Sequence, residues 1–263
     1  GLGFWQIKKK IGDLELTAGS FYDQFGSGIL FRAFENRLIG IDYAMEGARA
    51  KYHFKDGTVV KAFTGKQKGF QDNRFGTSPQ IIKGINAEKG FMSESGTILN
   101  LGVSAINRTL DENTMSQLIT EVNAFPNNDD KFYPKYNVYG VNGYFDLNWR
   151  NFGFSGEYNY KTGEAIRNNF GDLYFSDGSV ILGSASYSKR KLGRNKKGGL
   201  GINVQYRRIE NFPLTVSPYV SLLNGIMTYQ PSFSRQASYR MLARYQAPAQ
   251  FTGENAYQAE LLY

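Results

Sequence analysis

The chain has no cysteine, a single histidine and only seven prolines in 263 residues. Absence of cysteine excludes a disulfide framework, which a secreted domain with long loops would often use. No stretch approaches the ~20 consecutive apolar residues that a membrane-spanning helix needs, so a helical membrane protein is excluded too. The one histidine, His53, stands among Arg49, Lys51 and Lys55 with no second His or Cys to help it, which makes it a poor metal ligand. The sequence opens on Gly-Leu-Gly-Phe-Trp with no charged n-region or small-residue cleavage site, so any export signal is expected to have been removed or to lie upstream, and compartment has to be inferred from the body of the chain.

Glycine and aromatics are abundant: 30 Gly, 20 Phe and 18 Tyr. Mean hydropathy is nevertheless −0.43. Alternation reconciles the two, because a sheet can carry its apolar residues at every second position and remain polar on average. Along residues 136–149, Tyr139, Val141, Gly143, Phe145, Leu147 and Trp149 share one parity and Asn142, Asp146 and Asn148 the other. After Arg150-Asn151, Phe152, Phe154, Gly156, Tyr158 and Tyr160 share a face opposite Ser155, Glu157, Asn159 and Lys161. About twelve such segments are expected: 2–10, 13–21, 43–55, 58–66, 80–90, 97–108, 135–149, 152–161, 179–192, 199–208, 232–246 and 254–263. Alternation is weakest in 80–90. A soluble β-sandwich would alternate too, but its inner face favours bulkier aliphatics than the Ala and Gly found here.

Connections alternate in length as strictly as residues alternate in polarity. Short turns are expected near Ile11-Gly12, Asp56-Gly57, Phe91-Ser95, Arg150-Asn151, Gly193-Gly198 and Ala247-Gly253. Long ones run from Tyr22 to Asp42, Gln67 to Pro79, Thr109 to Pro134, Thr162 to Gly178 and Ile209 to Pro231. Short turns at one end and long loops at the other mark an antiparallel transmembrane β-barrel in the cell outer membrane, with the whole chain as one domain. Trp149, Phe152, Tyr160, Tyr187, Tyr206 and Tyr245 lie near strand ends, where interfacial girdles are expected. In the first hairpin, a turn at Ile11-Gly12 sets Lys8 opposite Glu15 and Ile7 opposite Leu16. The apolar stretch Ile29 to Phe34 is either a strand extension or a segment folded into the interior. With an even number of segments, both chain ends fall on the long-loop side, which implies a piece of a larger barrel, incomplete at both ends.

Gly19-Ser20-Phe21-Tyr22-Asp23-Gln24-Phe25-Gly26-Ser27-Gly28, Arg32-Ala33-Phe34-Glu35-Asn36-Arg37 and Gly40-Ile41-Asp42-Tyr43-Ala44-Met45-Glu46-Gly47-Ala48-Arg49 resemble the opening of an uncharacterised porin-like outer-membrane family of Bacteroidota. Asn255-Ala256-Tyr257-Gln258-Ala259-Glu260-Leu261-Leu262-Tyr263 resembles an internal strand of such proteins. The resemblance implies a barrel of more strands and brings no substrate and no residue of assigned role.

The net charge of +8 is spread over strands and turns, which argues against a nucleic-acid partner. The densest cluster, Lys189, Arg190, Lys191, Arg194, Lys196 and Lys197, reads as a solvated hairpin tip. No catalytic constellation, cofactor motif or metal set stands out, so an enzyme is not expected. Asp129-Asp130 reads as a solvated loop tip before a Ca²⁺ site. Gly26-Ser27-Gly28 lacks the Lys and the helix of a phosphate loop and reads as a flexible loop. Phe125, Phe132, Tyr133 and Tyr136 either pack the loops together or stack on sugars. The residues expected to line the interior are Arg49, Lys51, Lys55, Glu157, Arg190, Arg207, Arg240 and Arg244. A basic lumen of this kind would favour passage of anionic or polyhydroxylated solutes. The alternative expectation is a plugged barrel, embedded in outer-membrane lipid, whose long loops bind a protein or glycan partner.

Overall fold

A computed structural model describes residues 4–36, 41–69, 76–168, 170–192, 198–220, 225–230 and 250–263. Its framework is one antiparallel sheet built from β1 (Gln6–Ile11), β2 (Leu14–Phe21), β7 (Met45–His53), β8 (Val59–Gln67), β9 (Ile81–Met92), β10 (Ile98–Thr109), β11 (Asn137–Trp149), β12 (Phe152–Arg167), β13 (Leu173–Leu192), β14 (Gly198–Glu210) and β15 (Gly253–Leu262). These eleven strands pair in exactly the order in which they are strung along the chain, as a continuous meander. Between β2 and β7 the chain forms two small ladders, β3 (Asp23–Phe25) with β4 (Phe31–Ala33), and β5 (Glu35–Asn36) with β6 (Ile41–Asp42). A helix, α1 (Glu112–Asn123), follows β10.

Every sequence segment but one is a strand of this sheet. The exception, 232–246, lies outside the described residues, as do Tyr245, Arg240 and Arg244. β14 pairs directly with β15 from Gly201↔Leu262 to Glu210↔Gly253, so β15 is the eleventh strand of the sheet among the described residues. That corrects the parity: β1 starts at the long-loop end, but β15 finishes at the short-turn end. The short turn expected near Ala247-Gly253 falls partly outside the described residues; Gly253, its last residue, opens β15 opposite Glu210, at the long-loop end.

Two further corrections have local causes. The first hairpin turns on Gly12-Asp13, because Gly12 adopts φ 58° and supplies the left-handed residue a two-residue turn requires. Its register is therefore Ile11↔Leu14, with Lys10 opposite Glu15 and Lys8 opposite Thr17. The segment 162–178 is not a loop but a continuation of β12 and β13, from Glu164↔Ser176 to Arg167↔Leu173, past a bulge between Lys161 and Glu164. Strand parity would put those two residues on opposite faces. The extra residue of the bulge returns both to the same one.

One face of the sheet is covered from within. Phe25, Ile29, Leu30 and Phe31 of the first long connection join Phe212, Leu214, Val216 and Met227 of the last in one buried cluster. They pack on Phe63, Ile82, Ile106, Val138, Val180 and Ile209, which project from β8, β9, β10, β11, β13 and β14. The stretch Ile29 to Phe34 is thus folded against one face of the sheet, here called the inner face, and with the last connection forms a pad at the long-loop end, here called the plug. The two lobes of the plug are tied by backbone hydrogen bonds, Arg32 N to Met227 O at 2.8 Å and Tyr229 N to Gly28 O at 2.9 Å. The Arg32 guanidinium stacks 3.9 Å from the Tyr229 ring centroid.

A second cluster caps the long-loop end. Leu118 and Val122 of α1 pack with Leu110, Ala165 and Leu173, against Phe125 and Phe132. Asp111 caps the helix, accepting from Thr114 N, a contact worth about 1 kcal/mol. Burial pushes the Asp111 carboxyl up, but hydrogen bonds from Thr114 and Gln80 outweigh it and leave the group below its ordinary value.

Candidate functional site

The two faces of the sheet have opposite chemistry. On the face away from the plug, Ile7, Leu16, Tyr52, Ile85, Val103, Val141, Phe145, Phe154, Tyr158, Val204 and Leu261 are all exposed. They come from strands across the full width of the sheet. A soluble monomer rarely leaves apolar surface contiguous on this scale. On β11 the stripe runs ten residue steps from Tyr139 to Trp149, about 34 Å along the strand and ~26 Å in height at a tilt of ~40°. Near the short turns, Trp149, Phe152 and Tyr187 form a ring cluster with centroids 5.9 and 4.9 Å apart. Nearer the long loops, Tyr206 faces Tyr257 at 5.0 Å.

On the inner face, charged side chains hold the plug. Arg49 of β7 reaches Asp23 in the plug at 3.3 Å and Glu15 of β2 at 3.2 Å. Lys61 of β8 meets the other Asp23 oxygen at 3.2 Å. At the plug tip, Ser27 N donates to Glu157 Oε2 at 2.9 Å, and Asn142 Nδ2 donates to Glu157 Oε1 at 3.1 Å. The tip can sit so close because residue 26 is glycine: at φ 52°, a Cβ there would meet Glu157 Oε2 and the Tyr144 ring at 3.0 Å. Gly26-Ser27-Gly28 is therefore a seated contact, which corrects its reading as a flexible loop.

Nearer the long loops, against the second lobe, lies a buried charge triad. Lys161 Nζ donates to Glu164 Oε1 at 2.6 Å and to Pro213 O at 3.1 Å, and Arg108 pairs with the other Glu164 oxygen. The three side chains are 0, 4 and 1% exposed in the order Lys161, Glu164, Arg108. Sequence reasoning missed Arg108 and Glu164 because only the bulge aligns Glu164 with the inner face. A basic residue next to that irregular stretch was the one available signal.

The eight expected lining residues divide accordingly. Arg49 and Glu157 hold the plug. Arg207 is buried in an ion pair with Glu254 at 2.5 Å. Lys51 is half-buried on the inner face, opposite Glu15 and Lys61 in register. Arg190 is exposed near the short-turn end of β13. Lys55 is not on the wall: β7 ends at His53, and Lys55 is exposed in the turn that follows. In that same turn, hydrogen bonds from Lys89 and from Thr58 hold the Asp56 carboxyl down at about 2. Arg240 and Arg244 lie outside the described residues.

The loop features resolve less evenly. Phe125 and Phe132 pack into the cap, whereas Tyr133 is 94% exposed. Asp129 and Asp130 sit in an exposed 3-10 turn, where Asn127 Nδ2 donates to Asp130. Among the described residues no group of three or more His, Cys, Asp and Glu is placed to hold a metal. Above the cap, Tyr219 donates to Glu121 Oε2 at 2.8 Å. Burial and that hydrogen bond push its phenol up to about 12.

Residues 1–263 match a family described as a family of unknown function, DUF6029. No curated protein matches the chain. Among solved structures, the crystal structure of Pseudomonas aeruginosa OccK3 (OpdO) is similar over 80% of this chain and 64% of its own, with 12% identity and a TM-score of 0.38. The chain thus spans less than two thirds of the length of that structure.

Proposed function

The chain belongs to DUF6029, a family of unknown function, and we propose that it forms the wall and plug of an outer-membrane β-barrel with porin-like, gated passage of small polar solutes. The observation that carries this reading is the exposed apolar face that crosses the entire eleven-stranded sheet. Water would penalise it and lipid would not. Short turns at one end, long connections at the other and ring clusters on the outer face agree with that placement.

The plug sets the state of the passage. Its apolar lobes occupy the long-loop half of the interior, so solutes cross only when the contacts at Asp23 and Gly26 give way. Planar-bilayer recordings test the proposal. Little or no conductance is expected from the wild type and a clear rise from Asp23→Ala, which leaves Arg49 and Lys61 without their plug partner, and from Gly26→Val, which cannot seat. If neither variant conducts, or if both conduct as the wild type does, the gated passage is refuted.

The plug and the folded cap also favour a second reading, in which a permanently closed barrel presents the long loops to a protein or glycan partner. Under that reading, deleting α1 would abolish partner capture and the plug variants would stay silent in bilayers.

A further inference from the structure

At the short-turn end a cleft of about 530 Å³ opens beside the turn between β11 and β12, lined by Arg150, Lys189 and Arg190 together with Asn148, Ser186 and Ser188. Strand register builds it. Tyr187 is opposite Phe152, the first residue of β12, and the next residue, Ser188, already donates its N–H to Asn151 O of the turn at 2.8 Å. β13 thus outruns β12, and Lys189 and Arg190 stand alongside the turn, Lys189 on the parity of Tyr187 and Arg190 on that of Ser186. The floor stays open because residue 153 is glycine: a Cβ there would fall 2.6 Å from Ser186 Oγ. Arg150 completes the group from the turn itself, where it holds φ 54°, a left-handed conformation uncommon for a residue with a side chain.

The neighbours of these cations set their depth. The Arg150 guanidinium lies 5.5 Å from the Trp149 ring centroid, Trp149 is 5.9 Å from Phe152, and Phe152 is 4.9 Å from Tyr187. Those rings belong to the apolar face, so the guanidinium sits at the level where an aromatic girdle meets lipid head groups. The described residues that line the cleft include three cations and no carboxylate. Asp146, the next inner-face position along β11, accepts from Asn148 Nδ2 at 2.6 Å. Glu260 stands two strands from Ser186, across Asn203, about 10 Å away by strand spacing. An arginine fork matches a pair of phosphate oxygens, and the serine hydroxyls supply donors for the others.

Resting on the membrane placement proposed above, we infer that this cleft binds the phosphate of an anionic phospholipid in the leaflet at the short-turn end. The ring cluster packs against the lipid where its chains begin, and the cations and hydroxyls take the head group. A zwitterionic lipid brings its own ammonium towards three cations, whereas an anionic one brings net negative charge, so the cleft discriminates between them. Lys189 and Arg190 then serve as lipid ligands and not only as part of a solvated hairpin tip.

The test places the full chain in phosphatidylcholine vesicles with a trace of spin-labelled phosphatidylglycerol or spin-labelled phosphatidylcholine, and electron spin resonance reads the fraction of each label that the protein immobilises. Phosphatidylglycerol is expected to be retained several-fold over phosphatidylcholine. Arg150→Gln, Lys189→Gln and Arg190→Gln together should remove that preference and leave the immobilised phosphatidylcholine unchanged. Lys8→Gln, Lys9→Gln and Lys10→Gln together, which take the same charge from β1, should keep it. Millimolar inorganic phosphate at constant ionic strength should not displace the lipid. A wild type without preference, a preference that survives the Arg150, Lys189 and Arg190 changes, or equal loss in both triple variants would each overturn the inference while leaving the wall in the membrane. Displacement by inorganic phosphate would overturn it too, by assigning the cleft to a soluble anion. Absence of any immobilised phosphatidylcholine would remove the membrane placement itself and the inference with it.

Discussion

Replacing Glu164 with leucine should be among the most damaging single changes in the wall. The carboxylate is 4% exposed and serves two cations, Arg108 and Lys161, that are themselves 1 and 0% exposed. If the interior at this height were an open water-filled pore, each pair would be solvated and worth ~0–1 kcal/mol. Packed under the second lobe of the plug, the two cations cannot rehydrate without opening the structure. Loss of their shared partner should then cost about 3–5 kcal/mol. Arg108→Met, Lys161→Met and Glu164→Leu combined should recover most of that loss, because a buried ionic cluster and an apolar one of similar volume are close in energy. Urea titration of the protein folded in lipid vesicles measures both, with Trp5 and Trp149 as fluorescence reporters and stability taken from linear extrapolation. A cost below ~1 kcal/mol for Glu164→Leu would refute the reasoning. It would mean that water reaches the triad and that the plug does not seal this level.

Three further outcomes are expected. Asp111 has a folded pKa below its ordinary value, so its contribution to the α1 cap is present above about pH 4 and is lost as pH falls through the folded value. Hydrogen exchange of residues 112–123 should therefore quicken in acid, and Asp111→Asn should flatten that dependence. Tyr219, with its phenol raised to about 12, contributes stability that is whole below pH ~10 and fades as pH rises through about 12. Its ultraviolet titration should trail that of an exposed tyrosine, and Glu121→Gln should shift it earlier. Gly102→Val should strain the wall, because a Cβ there would fall 2.0 Å from Tyr144 Cζ. The expected loss is about 1–3 kcal/mol, read by the same urea titration, and a neutral result would mean that Tyr144 does not lie across β10.

Period-two alternation and the order of short and long connections were enough to place the strands of the sheet, because both are local. A strand shows its two faces through its own residues, and consecutive strands of a meander need no long-range information to find their neighbours. Residue chemistry likewise assigned Arg49 and Glu157 to the polar face of their strands. What those residues do there depended on distant partners. Arg49 meets an acid 26 residues away, and Glu157 meets a backbone N–H 130 residues away. The fate of Ile29 to Phe34 was undecidable locally, since a short apolar run suits a strand and a plug equally well. Only the packing of two long connections against each other and against the wall made it a plug. The bulge that turns Glu164 inward and the end at which β15 finishes were decided by register. Register is a property of pairs of strands, and a single strand does not carry it.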